Sequence, residues 1–470
     1  MNAQCSVHTF ARMHKFQNPE DTICALATPD APGALAIIRI SGKDAMNFAD
    51  AVFSGKLKKA KTHTAIFGQV RDGAEVIDEV LATVFRAPNS FTGENTVEIS
   101  CHGSVYVRNR IIELLVSKGA RLAAPGEFTL RSYLNGKMDL SQAEAVADLI
   151  AASSQAAHRM AIHQIRGGFG KELAALRQKL LDLLSLLELE LDFGEEDVEF
   201  ADKKRLRKLL GEMKLRVTRL ADSFSRGNVL RNGVPVAIVG PPNAGKSTLL
   251  NALLNDEKAI VSDIPGTTRD VIDDTTVIEG VEFRFIDTAG IRTTRNKIEK
   301  VGVKRTFEQI RKARIILLLL DPLNETERAV IERLEKFKAT SVGEGQTLIV
   351  LFNKSDRLDK DELKELSGMG TFISAKKDKN LAVLKKKLLK AVAPIESEEG
   401  TVVNNVRHFD VLTRCARSLS LAEDGLESGL SGELLAAEIR TSLELLGQIT
   451  GEVTSDEVLG NIFSRFCIGK

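Results

Sequence analysis

Four short apolar runs follow residue 20: Thr22–Ala27, Ala34–Ile40, Val80–Phe85 and Thr96–Cys101. Each is bounded by Gly, Pro, Asn or Asp and predicts a strand. From Val105 to Lys118 the apolar positions Val107, Ile111, Leu114 and Leu115 take helical spacing instead. The mixture predicts an α+β domain over residues 21–136. Residues 1–20 carry His8, Arg12, His14 and Lys15 but no apolar core. They read as a disordered extension, with a transit peptide as the alternative.

From Leu140 the texture is helical. Ser141-Gln-Ala-Glu144 has the capping-box pattern and predicts a helix reaching Ile165, stopped by Gly167, Gly168 and Gly170. Leu173–Phe193 carries leucine on nearly every side, as a helix buried among others does. Asp192–Glu199 reads as a solvated turn, and Lys203–Arg226 as an amphipathic helix with a basic, solvent-facing side. Residues 137–232 thus predict part of a helical bundle. At Val234 short apolar runs return: Val234–Val239, Val281–Ile286, Ile315–Leu320, Thr347–Phe352 and Phe372–Ser374. They alternate with helical segments, the signature of an α/β sheet with parallel strands. Helical spacing resumes in Asn405–Gly425 and Glu433–Gly447. One helical domain, 137–232 and 396–470, split by an inserted α/β domain, 233–395, accounts for this order.

Composition narrows the picture. At about 150 residues per domain, 470 residues suit roughly three domains. Lys+Arg 65 against Asp+Glu 64 leaves a net charge of +1, so no global basic field drives nucleic-acid binding. Any RNA contact is local or shared with a partner. Cys5, Cys24, Cys101, Cys415 and Cys467 are scattered and never form C-x-x-C, which points to a reducing compartment without disulfides or zinc. No run approaches the ~18 apolar residues of a membrane span. The expected location is the cytoplasm.

The candidate chemistry lies just after Val239. Gly240-Pro-Pro-Asn-Ala-Gly-Lys-Ser247 fits G-x-x-x-x-G-K-[ST], a phosphate-binding loop between strand and helix. Backbone N–H groups at Asn243, Ala244, Gly245 and Thr248 are candidates to face phosphate; Lys246 would reach the β/γ-phosphates and Ser247 would ligate Mg²⁺. Asp287-Thr288-Ala289-Gly290 places an acid near Mg²⁺ and a glycine N–H near the γ-phosphate. Asn353-Lys354-Ser355-Asp356 supplies a carboxylate for the N1–H and 2-amino donors of guanine. Ser374-Ala375-Lys376 resembles the last guanine-contacting loop of GTPases. Gly266-Thr267-Thr268-Arg269-Asp270 offers a threonine that closes over Mg²⁺ only with γ-phosphate present. All five in this order imply GTP binding. Where Ras-like enzymes carry a water-orienting Gln, this chain has Ile291, so another group must act, and Glu299 is a candidate. Arg269 is either a cis arginine finger or a switch salt bridge. Asn243 is either a monovalent-cation ligand or a turn-stabilising side chain. Arg39 and Glu98 carry no motif of their own and read as surface charges or a local salt bridge; His102 reads as structural.

The chain closely resembles the MnmE (TrmE) family of tRNA-modification GTPases from Asp21 to Lys470. The resemblance rests on Pro242-Asn-Ala-Gly-Lys-Ser247, Ile264-Pro-Gly-Thr-Thr-Arg-Asp270, Pro125-Gly-Glu-Phe128 and the terminal Phe466-Cys-Ile-Gly-Lys470. Ser90-Phe-Thr-Gly-Glu94 and Asn135-Gly-Lys-Met-Asp-Leu140 also match. It implies an N-terminal folate-binding, dimerising domain, a helical domain, and an inserted Ras-like GTPase domain. It further implies K⁺ held by Asn243, Thr267 and the loop containing Ser262 and Ile264, with Asp263 and Pro265 of that loop at the GTP site and Mg²⁺ on Ser247 and Thr268. Glu299 would orient water, and K⁺ would take the arginine finger's electrostatic role. A tetrahydrofolate derivative would meet Arg39, Glu98, Lys137 and Lys470, and Cys467 is either a nucleophile or a packing position. The implied whole is a homodimer working with an FAD-binding MnmG (GidA)-type partner. The pair would add an aminomethyl or carboxymethylaminomethyl group at C5 of wobble uridine-34 in certain tRNAs. The rivals are a ribosome-assembly GTPase of the Era/EngA type, which needs a KH-like appendage, and a GTP-gated dimeric scaffold without modification chemistry.

Overall fold

The computed structural model describes residues 20–193, 203–255, 274–286, 310–324, 345–358, 368–396, 401–464 and 466–469, with isolated positions at 331–332, 335, 337, 342–343 and 366. The N-terminal unit is a six-stranded sheet with strand order β3-β4-β5-β2-β1-β6. Its elements in chain order are β1 (Ile23–Leu26), β2 (Leu35–Ser41), α1 (Ala45–Val52), β3 (Thr64–Asp72), β4 (Glu75–Phe85), β5 (Thr96–His102), α2 (Val105–Ser117), β6 (Arg121–Leu122) and α3 (Glu127–Leu134). Alternation along β2 sends Ala36, Ile38 and Ile40 into the core beneath α1 and α2, with Val97, Ile99 and Cys101 of β5 beside them. The same alternation turns Arg39 and Glu98, paired in the β2–β5 register, to the other face. Strand β3 and helix α1 lie outside the runs predicted from the sequence.

The helical region begins with α4 (Leu140–Ala151), α5 (Gln155–Ile165), α6 (Gly168–Phe193), α7 (Lys203–Asp222) and α8 (Phe224–Asn232). Four expectations need correction. The capping residue is Asp139 and not Ser141: the Asp139 carboxylate accepts from the Gln142 N–H at 2.8 Å, and Gln142 Oε1 accepts from the Asp139 N–H at 2.8 Å. Ser141 instead donates to Asp139 Oδ1 at 2.7 Å. The helix ends at Ala151, and a second starts behind the N-cap Ser154. Gly168 and Gly170 do not break the next helix but open it, and Lys203–Arg226 divides into α7 and the start of α8.

Next comes a second six-stranded sheet, ordered β12-β11-β10-β7-β9-β8. It is formed by β7 (Val234–Val239), β8 (Asp274–Ile278), β9 (Val281–Phe285), β10 (Ile315–Leu320), β11 (Thr347–Phe352) and β12 (Thr371–Phe372). All neighbours are parallel except the β8–β9 hairpin. That hairpin turns on Glu279 and Gly280, both at positive φ, as a two-residue turn requires. Helices α9 (Lys246–Asn255) and α10 (Leu381–Glu396) accompany the sheet. β10 is buried along its whole length, which explains its unbroken apolar run.

The chain then returns to the helical region with α11 (Val406–Ser428), α12 (Gly432–Thr450) and α13 (Asp456–Phe463). α11 packs against α7 and α12, and α12 packs against α6. Leu173, Leu176, Leu180, Leu183 and Leu187 of α6 face this core at helical spacing. α13 packs on α3 through Phe463 and Leu130, which carries the C-terminal tail back to the N-terminal unit. Among the described residues no helix is long and apolar enough to cross a membrane.

Candidate functional site

Strand β7 lies between β10 and β9, and its carboxyl end feeds the phosphate loop into α9. The loop takes left-handed backbone at Asn243 (φ 65) and Gly245 (φ 96). A Cβ on Gly245 would fall 2.3 Å from Asn353 Nδ2. Lys246 Nζ donates to the carbonyls of Gly240 at 2.8 Å and Pro241 at 3.0 Å, curling over the loop. Burial lowers its pKa. Ser247 is half-buried in the first turn of α9, and Asn243 and Thr248 are exposed.

The segments expected from the sequence to meet the guanine base come to the same edge of the sheet. Asn353 is buried and bridges three loops: its Nδ2 donates to Ala244 O at 2.8 Å, and its Oδ1 accepts from Ala375 N at 3.0 Å. Asp356 Oδ1 accepts from Ser374 Oγ at 2.7 Å, and Lys377 lies 3.4 Å from Oδ2. The Ser374 hydrogen bond, ahead of Lys377, holds the Asp356 carboxyl below its ordinary pKa. An ionised carboxylate is what a guanine N1–H and 2-amino pair needs. Lys354 sits at φ 63 and pairs with Asp321, which follows β10. Ser355 N donates to Ile373 O at 3.1 Å, and Lys376 is exposed. The structure therefore gathers Asn243–Thr248, Asn353–Asp356 and Ser374–Lys376. Ser262, Asp263, Ile264, Pro265, Gly266, Thr267, Thr268, Arg269, Asp287, Thr288, Ala289, Gly290, Glu299 and Lys470 lie outside the described residues.

A second locus forms on the N-terminal sheet. Arg39 Nε donates to Glu98 Oε1 at 2.8 Å, with an Nη also at 2.8 Å, and its other Nη donates to Gly469 O at 3.2 Å. The guanidinium carbon stands 5.8 Å from the Phe91 ring centroid and 5.6 Å from that of Phe128. The tail is held closely: Gly126 N donates to Cys467 O at 3.3 Å, and a Cβ on Gly469 would fall 2.1 Å from Leu26 O. Cys467 itself is exposed. Lys137 Nζ donates to Pro88 O at 3.0 Å, at the start of the loop carrying Phe91. Ser132 and Asn135 bind that loop at Phe91 O and Thr92 O, each at 2.7 Å, and buried Arg131 reaches Glu94 at 3.2 Å and Glu127 at 3.0 Å. Phe91, Phe128 and Arg131 were not among the residues singled out from the sequence. Phe91 and Phe128 lie inside the stretches Ser90–Glu94 and Pro125–Phe128, which was the available signal.

A family model described as the GTP-binding protein TrmE N-terminus matches residues 22–137, and one described as the MnmE helical domain matches residues 140–467. The chain belongs to the MnmE family. It is 50% identical over 466 residues to the tRNA modification GTPase MnmE of Flavobacterium johnsoniae, covering 96% of this chain and 99% of that one. It is 51% identical over 470 residues to the MnmE of Christiangramia forsetii, with 96% and 99% covered. For the MnmE of Bacteroides thetaiotaomicron the figures are 50% over 467 residues, with 96% and 100% covered. Like other MnmE proteins the chain is a GTP-binding hydrolase of the tRNA-modification class. The MnmE helical match runs through the inserted sheet, so both helical stretches fall within one family unit.

Proposed function

We propose that this MnmE-family GTPase is a K⁺-dependent homodimer in the cytoplasm that acts with an FAD-binding MnmG-type partner. Together they modify C5 of wobble uridine-34 in certain tRNAs with an aminomethyl or carboxymethylaminomethyl group. A tetrahydrofolate derivative bound to residues 21–136 supplies the carbon. GTP lies on the phosphate loop with its base at Asp356. Ser247 and Thr268 would hold Mg²⁺, and Asn243, Ser262, Ile264 and Thr267 would hold K⁺, whose charge would offset that developing on the phosphates. Glu299 orients the attacking water.

The observation that carries this reading beyond GTP hydrolysis is Arg39. It lies over the rings of Phe91 and Phe128, against the carboxylate of Glu98 and the tail carbonyl of Gly469. A cation framed by rings suits a flat heterocycle with an anionic tail, and a carboxylate suits pterin donors. A ribosome-assembly role would leave this arrangement without a purpose. The test is calorimetric titration of 5-formyltetrahydrofolate into the intact protein and an Arg39→Ala variant. Saturable binding that weakens at least about tenfold in the variant is expected. No binding to the intact protein, with GTP still bound, overturns the folate part and returns the scaffold reading.

A further inference from the structure

The inserted sheet joins the helical region through two connections. The outgoing one is α8, whose last turn carries Arg231 two residues before Gly233, which leads into β7. The returning one is the segment 401–405, which leads into α11. They run against each other: a Cβ on Gly227 of α8 would fall 2.0 Å from Val403 O. Both are fastened to one side chain of α4. Asp148 Oδ1 pairs with an Nη of Arg231 at 2.6 Å, and Asp148 Oδ2 accepts from Asn404 Nδ2 at 2.9 Å. Arg231 also reaches Asn404 O at 3.4 Å.

One turn earlier on α4, buried Glu144 secures the start of α11. Its Oε1 accepts from Asn405 Nδ2 at 3.0 Å and Arg407 Nε at 3.1 Å, and its Oε2 meets Arg407 Nη and His408 Nε2, each at 2.7 Å. Beyond the other end of α4, Ser153 hydrogen-bonds Glu282 of β9, the strand that precedes Asp287. Helix α4 and the link that follows it thus touch both connections and a strand of the nucleotide-binding sheet. The helix N-terminus lies three residues after Lys137, at the end of the N-terminal unit.

We propose that Asp148 is a positioning residue that couples the nucleotide state of the inserted sheet to the helical region. By pinning both connections to α4, it makes a shift of β7 or β9 move α4 instead of being absorbed by two free hinges. The proposal rests on the reading that the inserted sheet binds and hydrolyses GTP.

The test is hydrogen–deuterium exchange on the full-length protein, with GDP and with a non-hydrolysable GTP analogue, alongside GTP turnover. The variant is Asp148→Asn, which keeps shape and the carboxamide contact but removes the charge facing Arg231. The wild type is expected to change its exchange over residues 140–151 and 401–412 between the two nucleotides. In the variant that difference should shrink about fivefold while GTP turnover stays within about twofold. The exchanged pair Asp148→Arg with Arg231→Asp should recover part of it. Should Asp148→Asn not fold, Arg231→Gln removes the same ion pair from its more exposed side. An undiminished difference in the variant, or no difference in the wild type over those residues, overturns the coupling. Absence of GTP turnover in the wild type overturns the functional reading instead.

Discussion

Asn353 occupies the space that a side chain at Gly245 would need: its Nδ2 lies 2.3 Å from the position of a Cβ there. The phosphate loop and the loops at Asn353 and Ala375 are therefore one packed unit. Gly245→Ala must expel Asn353 and strain a backbone at φ 96. GTP affinity measured by fluorescence of a labelled nucleotide should fall by at least about a hundredfold. Asn353→Ala, which leaves Ala244 O and Ala375 N without this partner, should cost about 1–3 kcal/mol of stability in urea unfolding and also weaken GTP binding.

Asp356 is kept ionised by Ser374 Oγ and Lys377. Asp356→Asn replaces an acceptor pair by one donor and one acceptor. Affinity for GTP should drop about a hundredfold, and xanthosine triphosphate, which carries a carbonyl where guanine has its amino group, should become the better ligand. Competition binding with the two nucleotides reads this directly. Unchanged preference for GTP would remove Asp356 from base recognition.

Glu144 provides a pH signature. Burial works to raise its pKa, but His408 and Arg407 outweigh it and bring the carboxyl down from 4.5 to about 2. A depressed folded pKa means stability is fully present above the unfolded value and is lost as pH falls towards 2. Asp148 shifts the other way, raised mainly by burial, and offsets part of this loss. Urea unfolding followed by circular dichroism should show a net decline between about pH 5 and about pH 2. Glu144→Gln should flatten that decline and cost about 3 kcal/mol at neutral pH, because Arg407 loses its buried counter-charge.

Gly469 should be intolerant of a side chain. At φ 94, with Leu26 O in the path of a Cβ, Gly469→Ala must lift the tail from Arg39. Binding of 5-formyltetrahydrofolate should weaken at least about tenfold while nucleotide affinity is unaltered. Equal folate affinity in the variant would show that the tail carbonyl plays no part.

The inserted sheet was legible because its central strands are apolar throughout and its loops carry motifs of fixed spacing. β3 was not: Gly68 interrupts Thr64–Asp72, and Phe67, 67% exposed, blurs the alternation. Two acceptors stand near the start of α4, and the pattern favours Ser141. The structure uses Asp139, because Leu140 is buried and already belongs to the first turn. Glu144 then turns inward to a partner, His408, 264 positions later. No local spacing reveals such a contact. Arg39 and Glu98 are a similar case: adjacency in the β2–β5 register explains their ion pair, but the rings beside Arg39 come from the loop at Phe91 and from helix α3.

The hydrogen bond from Arg39 to Gly469 spans 430 positions. During synthesis the N-terminal sheet has all its strands once Leu122 has emerged, yet Gly469 cannot close on Arg39 until the inserted sheet and the helical region have been made. A protease cut between Gly451 and Ser455 would leave the nucleotide-binding sheet whole and free the segment that covers Arg39. Limited proteolysis there would thus separate the two loci without touching either.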